Sequence, residues 1–169
     1  ARVSARTETG PGLEAGLLEA LRALATDPAA LGLADDCARL DWPLGLQLIA
    51  THDMLAEGRH FTPDCPPADI GWKLVAVNLS DLAASGARPV ALLMGAGIGD
   101  DRPLDWARAL VAGVGQAVAR FGVPLIGGDT IRSGPATVLS LTALGSVPQG
   151  RALLRGGAQA GDDLGLSGD

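Results

Sequence analysis

Acidic residues recur at four separated points of the sequence, each near a junction between elements: Asp35-Asp36, Asp53, Asp81 and Asp129. Carboxylates gathered in one place repel one another unless a cation lies between them. An all-oxygen donor set suits a hard divalent ion such as Mg2+, which keeps several waters and uses few carboxylates alongside phosphate oxygens. Taken singly, an aspartate is more often a cap, a turn residue or a solvated charge. Asp81 is the least ordinary of the four. With Asn78, three residues before it, it shares one face of a helix. The flanking runs Leu74-Val75-Ala76-Val77 and Leu82-Ala83-Ala84 are apolar. Polar groups set among them need partners, which a metal cluster would supply.

Other residues could complete such a site. Gly127-Gly128-Asp129-Thr130 follows an apolar run, and glycines there let backbone approach a phosphate closely. No G-x-x-x-x-G-K-[ST] sequence occurs, so a P-loop is excluded by pattern. Gly95-Ala96-Gly97-Ile98-Gly99-Asp100 lacks the glycine spacing of a dinucleotide fingerprint. His60 stands alone in a loop-like stretch, and Arg155 offers a charge-assisted phosphate contact. Cys37 and Cys65 are far apart and outside zinc-ligand spacing, and neither has a nearby base that would mark a nucleophile.

These groups must be positioned by alternating helices and strands. Residues 1–12 read as loose. Leu13, Leu17, Leu18, Leu21 and Leu24 recur at helical spacing up to Asp27-Pro28. Residues 46–51 read as a strand, and Asp53 to Pro66 as a loop. A helix starts near Pro67, presents Ile70, Leu74, Val77 and Leu82, and stops at Gly86. Pro89 to Ile98 is a strand, Pro103 to Phe121 a helix, Val123 to Ile126 a short strand, and Thr137 to Val147 a long one. The order predicts an α/β or α+β domain with a mixed sheet. Val90–Met94 and Val138–Leu144 are apolar enough to be buried on both faces. Residues 1–155 then form one domain. Residues 156–169 read as a linker and the first strand of a truncated second domain.

The chain has 169 residues, 47% hydrophobic and 19% charged, with a net charge of −6. That supports a core built on Leu, Val, Ile and Ala, and argues against disorder. No basic run suggests nucleic-acid binding, and no apolar run is long enough to span a membrane. The cysteine usage and the lack of a visible signal segment predict a cytoplasmic setting.

Five segments together carry a resemblance. They are Asp35-Asp36-Cys37-Ala38 with Thr51-His52-Asp53-Met54-Leu55-Ala56-Glu57-Gly58-Arg59-His60-Phe61, then Gly71 to Ala87 around Asn78-Leu79-Ser80-Asp81-Leu82-Ala83-Ala84, then Gly127-Gly128-Asp129-Thr130 with Gly150 to Arg155. In order and spacing the chain resembles the thiamine-monophosphate kinase family, within the superfamily of aminoimidazole ribonucleotide synthetase, over residues 31–169. The resemblance implies an α+β fold, a four-stranded mixed sheet backed by helices, and a homodimer formed by pairing such sheets. It implies ATP-dependent, Mg2+-assisted phosphorylation of thiamine phosphate to thiamine diphosphate, without a phosphoenzyme. It implies Mg2+ ligands at Asp36, Thr51, Asp53, Asp81 and Asp129, with the position of His52 among them. It also implies nucleotide contacts at Gly128, Asp129 and Arg155, and a thiamine-phosphate contact at His60. The chain departs from the family at His52, where Thr or Ser is usual, at Ala34, where Gly is frequent, and in lacking a Phe-x-x-Ile opening. The resemblance further implies a second domain after Gly161-Asp162, so the chain alone is expected to be inactive. The alternatives are a non-catalytic dimerisation module, or another ATP-using member such as aminoimidazole ribonucleotide or selenophosphate synthetase.

Overall fold

The computed structural model describes residues 12–163 and 165. The expectations for residues 1–11, and for a strand at Leu164 to Gly168, lie outside the described residues apart from Gly165. The elements run α1 (Leu13–Leu24), a 3-10 segment (Pro28–Leu33), β1 (Leu46–Ala56), α2 (Pro67–Ala84), β2 (Arg88–Ile98), α3 (Leu104–Phe121), β3 (Leu125–Arg132) and β4 (Val138–Pro148), with a short 3-10 turn at Arg155–Gly157. The fold is α+β, as expected.

The sheet order is β1-β4-β2-β3. β4 pairs antiparallel with both β1 and β2, and β2 pairs parallel with β3, so the sheet is mixed. β4, last in sequence, inserts between β1 and β2, which leaves β1 and β3 as the two edges.

The helices cover one face of the sheet. Leu92, Met94, Ile98, Leu139, Leu141 and Ala143 point into that layer and pack with Leu17, Ile70, Leu74, Leu82 and Leu110 in one cluster. The expectation that the central strands are buried on both faces is corrected here. Burial along β4 alternates strictly, and it also alternates over most of β2. The other face carries Leu48 and Met54 of β1, Leu93 of β2 and Ile131 of β3. Leu48, Met54 and Ile131 are each about half exposed, at 49%, 52% and 57%.

α2 and α3 approach each other closely at two glycines. A Cβ at Gly71 would strike the Leu110 carbonyl, and one at Gly113 the Ala68 carbonyl. Both glycines therefore serve close approach. β1 runs five residues beyond the expected strand, so Asp53 sits inside it rather than in a loop. Thr51, Asp53 and Leu55 continue the period-two pattern toward α2. An edge strand tolerates polar residues there, which hid the strand in the sequence.

Candidate functional site

The aspartates assemble at two stations, one at each edge of the sheet. The first lies where β1 meets α2. Asn78 is completely buried and its side chain is engaged at both ends: Oδ1 accepts the Asp53 N–H at 3.0 Å and Nδ2 donates to the Leu74 carbonyl at 2.9 Å. Its partner is thus the β1 backbone, rather than the metal cluster that its apolar surroundings suggested. One helical turn on, Asp81 Oδ2 accepts the Thr51 hydroxyl at 2.8 Å. Thr51 and Asp81 thus meet side chain to side chain, and the Asp53 backbone is tied to the same helix through Asn78. His52 does not join them. In a strand, neighbouring side chains point to opposite faces, and the His52 ring Nδ1 lies 2.8 Å from Thr142 Oγ1 on the uncovered face. Only its backbone could serve a site on the helix side.

The second station is a cleft of about 610 Å³ at the β3 edge. Its walls are Glu14, Leu18 and Leu21 of α1, Leu33, the Asp35–Ala38 segment, and Leu125 to Thr130 of β3. Asp36, Gly128 and Asp129 share this cleft although the chain separates them widely. Asp35 Oδ1 accepts the Asp36 N–H, and Asp129 Oδ1 accepts the Thr130 N–H, both at 2.9 Å. Gly127–Thr130 is part of β3 rather than a loop beyond it. Gly128 has φ 147°, and a Cβ there would collide with the Met94 backbone. The requirement for glycine is therefore set by contact with β2.

The four aspartates thus do not meet at one point within a single protomer. Among the described residues, no three His, Cys, Asp or Glu side chains are close enough to hold a metal ion. Each station nonetheless offers hard oxygen donors of the kind Mg2+ takes, and Mg2+ needs only one or two carboxylates when phosphates and water complete its shell. Arg155 is exposed in the short turn after β4 and does not line the cleft. Cys37 lines the cleft, and both cysteines are free thiols.

His60 is exposed in the turn after β1. The Ala56 N–H donates to its Nδ1 at 3.0 Å, which assigns the proton of the neutral ring to Nε2. Lys73 Nζ donates to its carbonyl at 2.6 Å. Sequence reasoning missed the residues that brace this turn. Glu57 pairs with Arg102 at 2.6 Å, and the two side chains are only 12% and 13% exposed. The Thr137 amide above all, and then Arg102, hold the Glu57 carboxyl below its ordinary range, against the opposing effect of burial. No spacing rule links positions 45 residues apart. In the sequence Glu57 is one acidic residue within a stretch that reads as a loop. Glu14 was missed as well, because its helix read simply as amphipathic.

Among the described residues, no helix is long and apolar enough to cross a membrane. Compared with known proteins, the chain is 43% identical over 150 residues to a thiamine-monophosphate kinase of Synechococcus elongatus, covering 88% of this chain and 45% of that protein. It superposes on the crystal structure of a thiamine-monophosphate kinase from Stenotrophomonas maltophilia with a TM-score of 0.71 at 41% identity, over 82% of this chain and 43% of that one. It also superposes on AaThiL complexed with AMPPCP and TMP, with a TM-score of 0.65 at 25% identity, over 94% of this chain and 48% of that one. The chain spans less than half the length of each of these proteins. Residues 34–147, from the cleft's acidic segment to the penultimate residue of β4, match the model of the AIR synthase related protein, N-terminal domain, and the chain belongs to that family.

Proposed function

We propose that this chain is the N-terminal, nucleotide-binding and Mg2+-binding part of an enzyme that transfers the γ-phosphoryl group of ATP to thiamine phosphate. The observation that carries the reading is the shared cleft of Asp36, Gly128 and Asp129, in a chain 43% identical to a thiamine-monophosphate kinase. The similarity to a protein complexed with AMPPCP and TMP supports the same pair of ligands.

In this reading a phosphate oxygen of thiamine phosphate displaces ADP at the γ-phosphorus, giving thiamine diphosphate. Such a transfer depends on positioning and charge neutralisation and needs no protein nucleophile. Asp36 and Asp129 would hold Mg2+ on the nucleotide side, and Thr51, Asp53 and Asp81 would hold it at the other station. When bound, Mg2+ would offset the charge of the phosphate oxygens. Gly128 lends a close backbone edge to the polyphosphate. His60 presents an Nε2–H donor to the phosphate of the acceptor. Arg155, which lies outside the cleft, would reach nucleotide only by a movement of the segment after β4.

The two stations on opposite edges also support a dimer in which the uncovered sheet faces pack into a closed barrel. With the two-fold axis along the barrel, β1 of one protomer lies beside β3 of its partner. Each composite site then takes one station from each protomer, so the carboxylates need not meet within one chain.

The test is formation of thiamine diphosphate from ATP, thiamine phosphate and Mg2+ by the full-length protein, together with calorimetry of AMPPCP binding. Asp129→Asn should abolish the Mg2+-dependent heat, since it removes a ligand charge. Metal-dependent binding without any thiamine diphosphate would assign the fold to another substrate. No binding heat with any divalent metal would leave a dimerisation module.

A further inference from the structure

The turn that carries His60 is held at both ends by one side chain. Arg102, in the loop between β2 and α3, donates from Nη2 to Glu57 Oε1 at 2.6 Å and from Nη1 to the Pro63 carbonyl at 3.3 Å. Its guanidinium carbon lies 5.1 Å from the centre of the Trp106 ring. The other Glu57 oxygen accepts the Thr137 N–H at 3.0 Å, and the Glu57 N–H donates to the Thr137 carbonyl at the same distance. The end of β1, the loop after β2 and the start of β4 therefore meet at a single ion pair.

Between these anchors the turn is closed by its own backbone. Gly58 N–H donates to the Phe61 carbonyl at 2.9 Å, and His60 N–H to the Ala56 carbonyl at 2.9 Å. Phe61 plugs into the core at 7% exposure. What this frame holds outward is the imidazole, in one tautomer, with Nδ1 occupied by the Ala56 N–H and Nε2–H free to donate.

We infer that the Glu57–Arg102 pair is a positioning device that sets the place and tautomer of His60 for an acceptor oxygen of a phosphate monoester. This rests on the reading of His60 as the thiamine-phosphate contact. The geometry calls for arginine in particular. A planar fork holds two acceptors at a fixed separation, whereas an ammonium group is a single point charge on a flexible stem. Arg102→Lys would keep the charge opposite Glu57 and lose the second anchor at Pro63. A misplacement of about 1 Å can cost a reaction up to ~100-fold, so removing one anchor should be readable in kinetics.

The experiment uses Arg102→Lys, Arg102→Ala and Glu57→Gln in the full-length protein, with folding checked by circular dichroism. The expected result is a rise in KM for thiamine phosphate of about 10-fold, in line with a sub-ångström shift of a binding group, with KM for ATP unchanged. Equal effects on both substrates, or none, would overturn the inference. If Arg102→Ala fails to fold, Arg102→Lys and Glu57→Gln carry the comparison. The ring 15N shifts of His60 supply a readout independent of turnover. In the parent they should report one tautomer with the proton on Nε2, and in Arg102→Lys they should move toward a mixture. Unchanged shifts in Arg102→Lys would sink the positioning role. A parent protein that makes no thiamine diphosphate would sink the functional reading and leave the shifts to decide the positioning.

Discussion

At the scale of single residues, the chemistry was legible and the partnerships were not. Asp36, Asp53, Asp81 and Asp129 announced themselves by type and by position near element ends. Asn78 announced a need for a partner, yet the partner is a backbone amide of β1, which no local pattern can name. Glu57 gave still less away, although its environment has a measurable consequence. Its folded-state pKa is depressed below 4.5 by the Thr137 amide and Arg102. A depressed carboxyl contributes stability that is fully present above its unfolded pKa and is lost as pH falls through the folded one. Glu57→Gln should therefore cost about 2 kcal/mol at neutral pH, the usual size for hydrogen bonds to a charged group. The gap between variant and parent should narrow once the pH drops below 4.5, the carboxyl's ordinary value. Urea unfolding across that range measures it. A gap that stays constant down to acid would show that the charge of Glu57 contributes nothing.

At the scale of elements, helices read more clearly than strands. α2 and α3 were marked by leucine and valine periodicity, and by glycines just past their ends. β1 and β3 were read short, because polar residues and glycines on edge strands resemble loops when their partners are unknown. The α2–α3 crossing gives this scale its prediction. Alanine is favoured over glycine within a helix by about 1 kcal/mol. At Gly113, however, the added methyl would enter the Ala68 carbonyl, a backbone atom that cannot step aside. Overpacking of this kind costs up to about 3 kcal/mol, so the packing term outweighs propensity. Gly113→Ala should lower the melting temperature by roughly 6 °C, a net loss of about 2 kcal/mol for a domain of this size. Gly115→Ala is the control on the same helix. There the nearest atom is the terminal Leu24 Cδ2 at 2.8 Å, which can rotate away. That variant should melt at or above the parent temperature. If both variants melt alike, backbone contact does not set the crossing.

At the scale of the whole molecule, the strand order decides what the sequence could not. The resemblance to a known family implies one purpose for the four acidic segments. That they divide between opposite edges follows from β4 inserting beside β1, a pairing between segments about 90 residues apart. The same order leaves one sheet face without α-helices; Ala30, Leu33 and Leu40 pack over its β2–β3 end against Ala91 and Ile126, and Leu48, Met54 and Ile131 are about half exposed. Three strands of 11 residues and the 8-residue β3, about 4.8 Å apart at 3.3 Å per residue, offer at most roughly 650 Å². Two such faces together would bury up to about 1,300 Å², at the lower end of the range of stable dimers. The chain should therefore sediment as a dimer at micromolar concentration. Leu48→Asp together with Met54→Asp would place two carboxylates along the β1 seam of that contact. Each faces outward in the protomer, so the fold should survive while the dimer is lost. Sedimentation velocity with a matched circular-dichroism spectrum checks this. A parent that stays monomeric at high concentration would leave the two carboxylate stations apart, and with them the composite site.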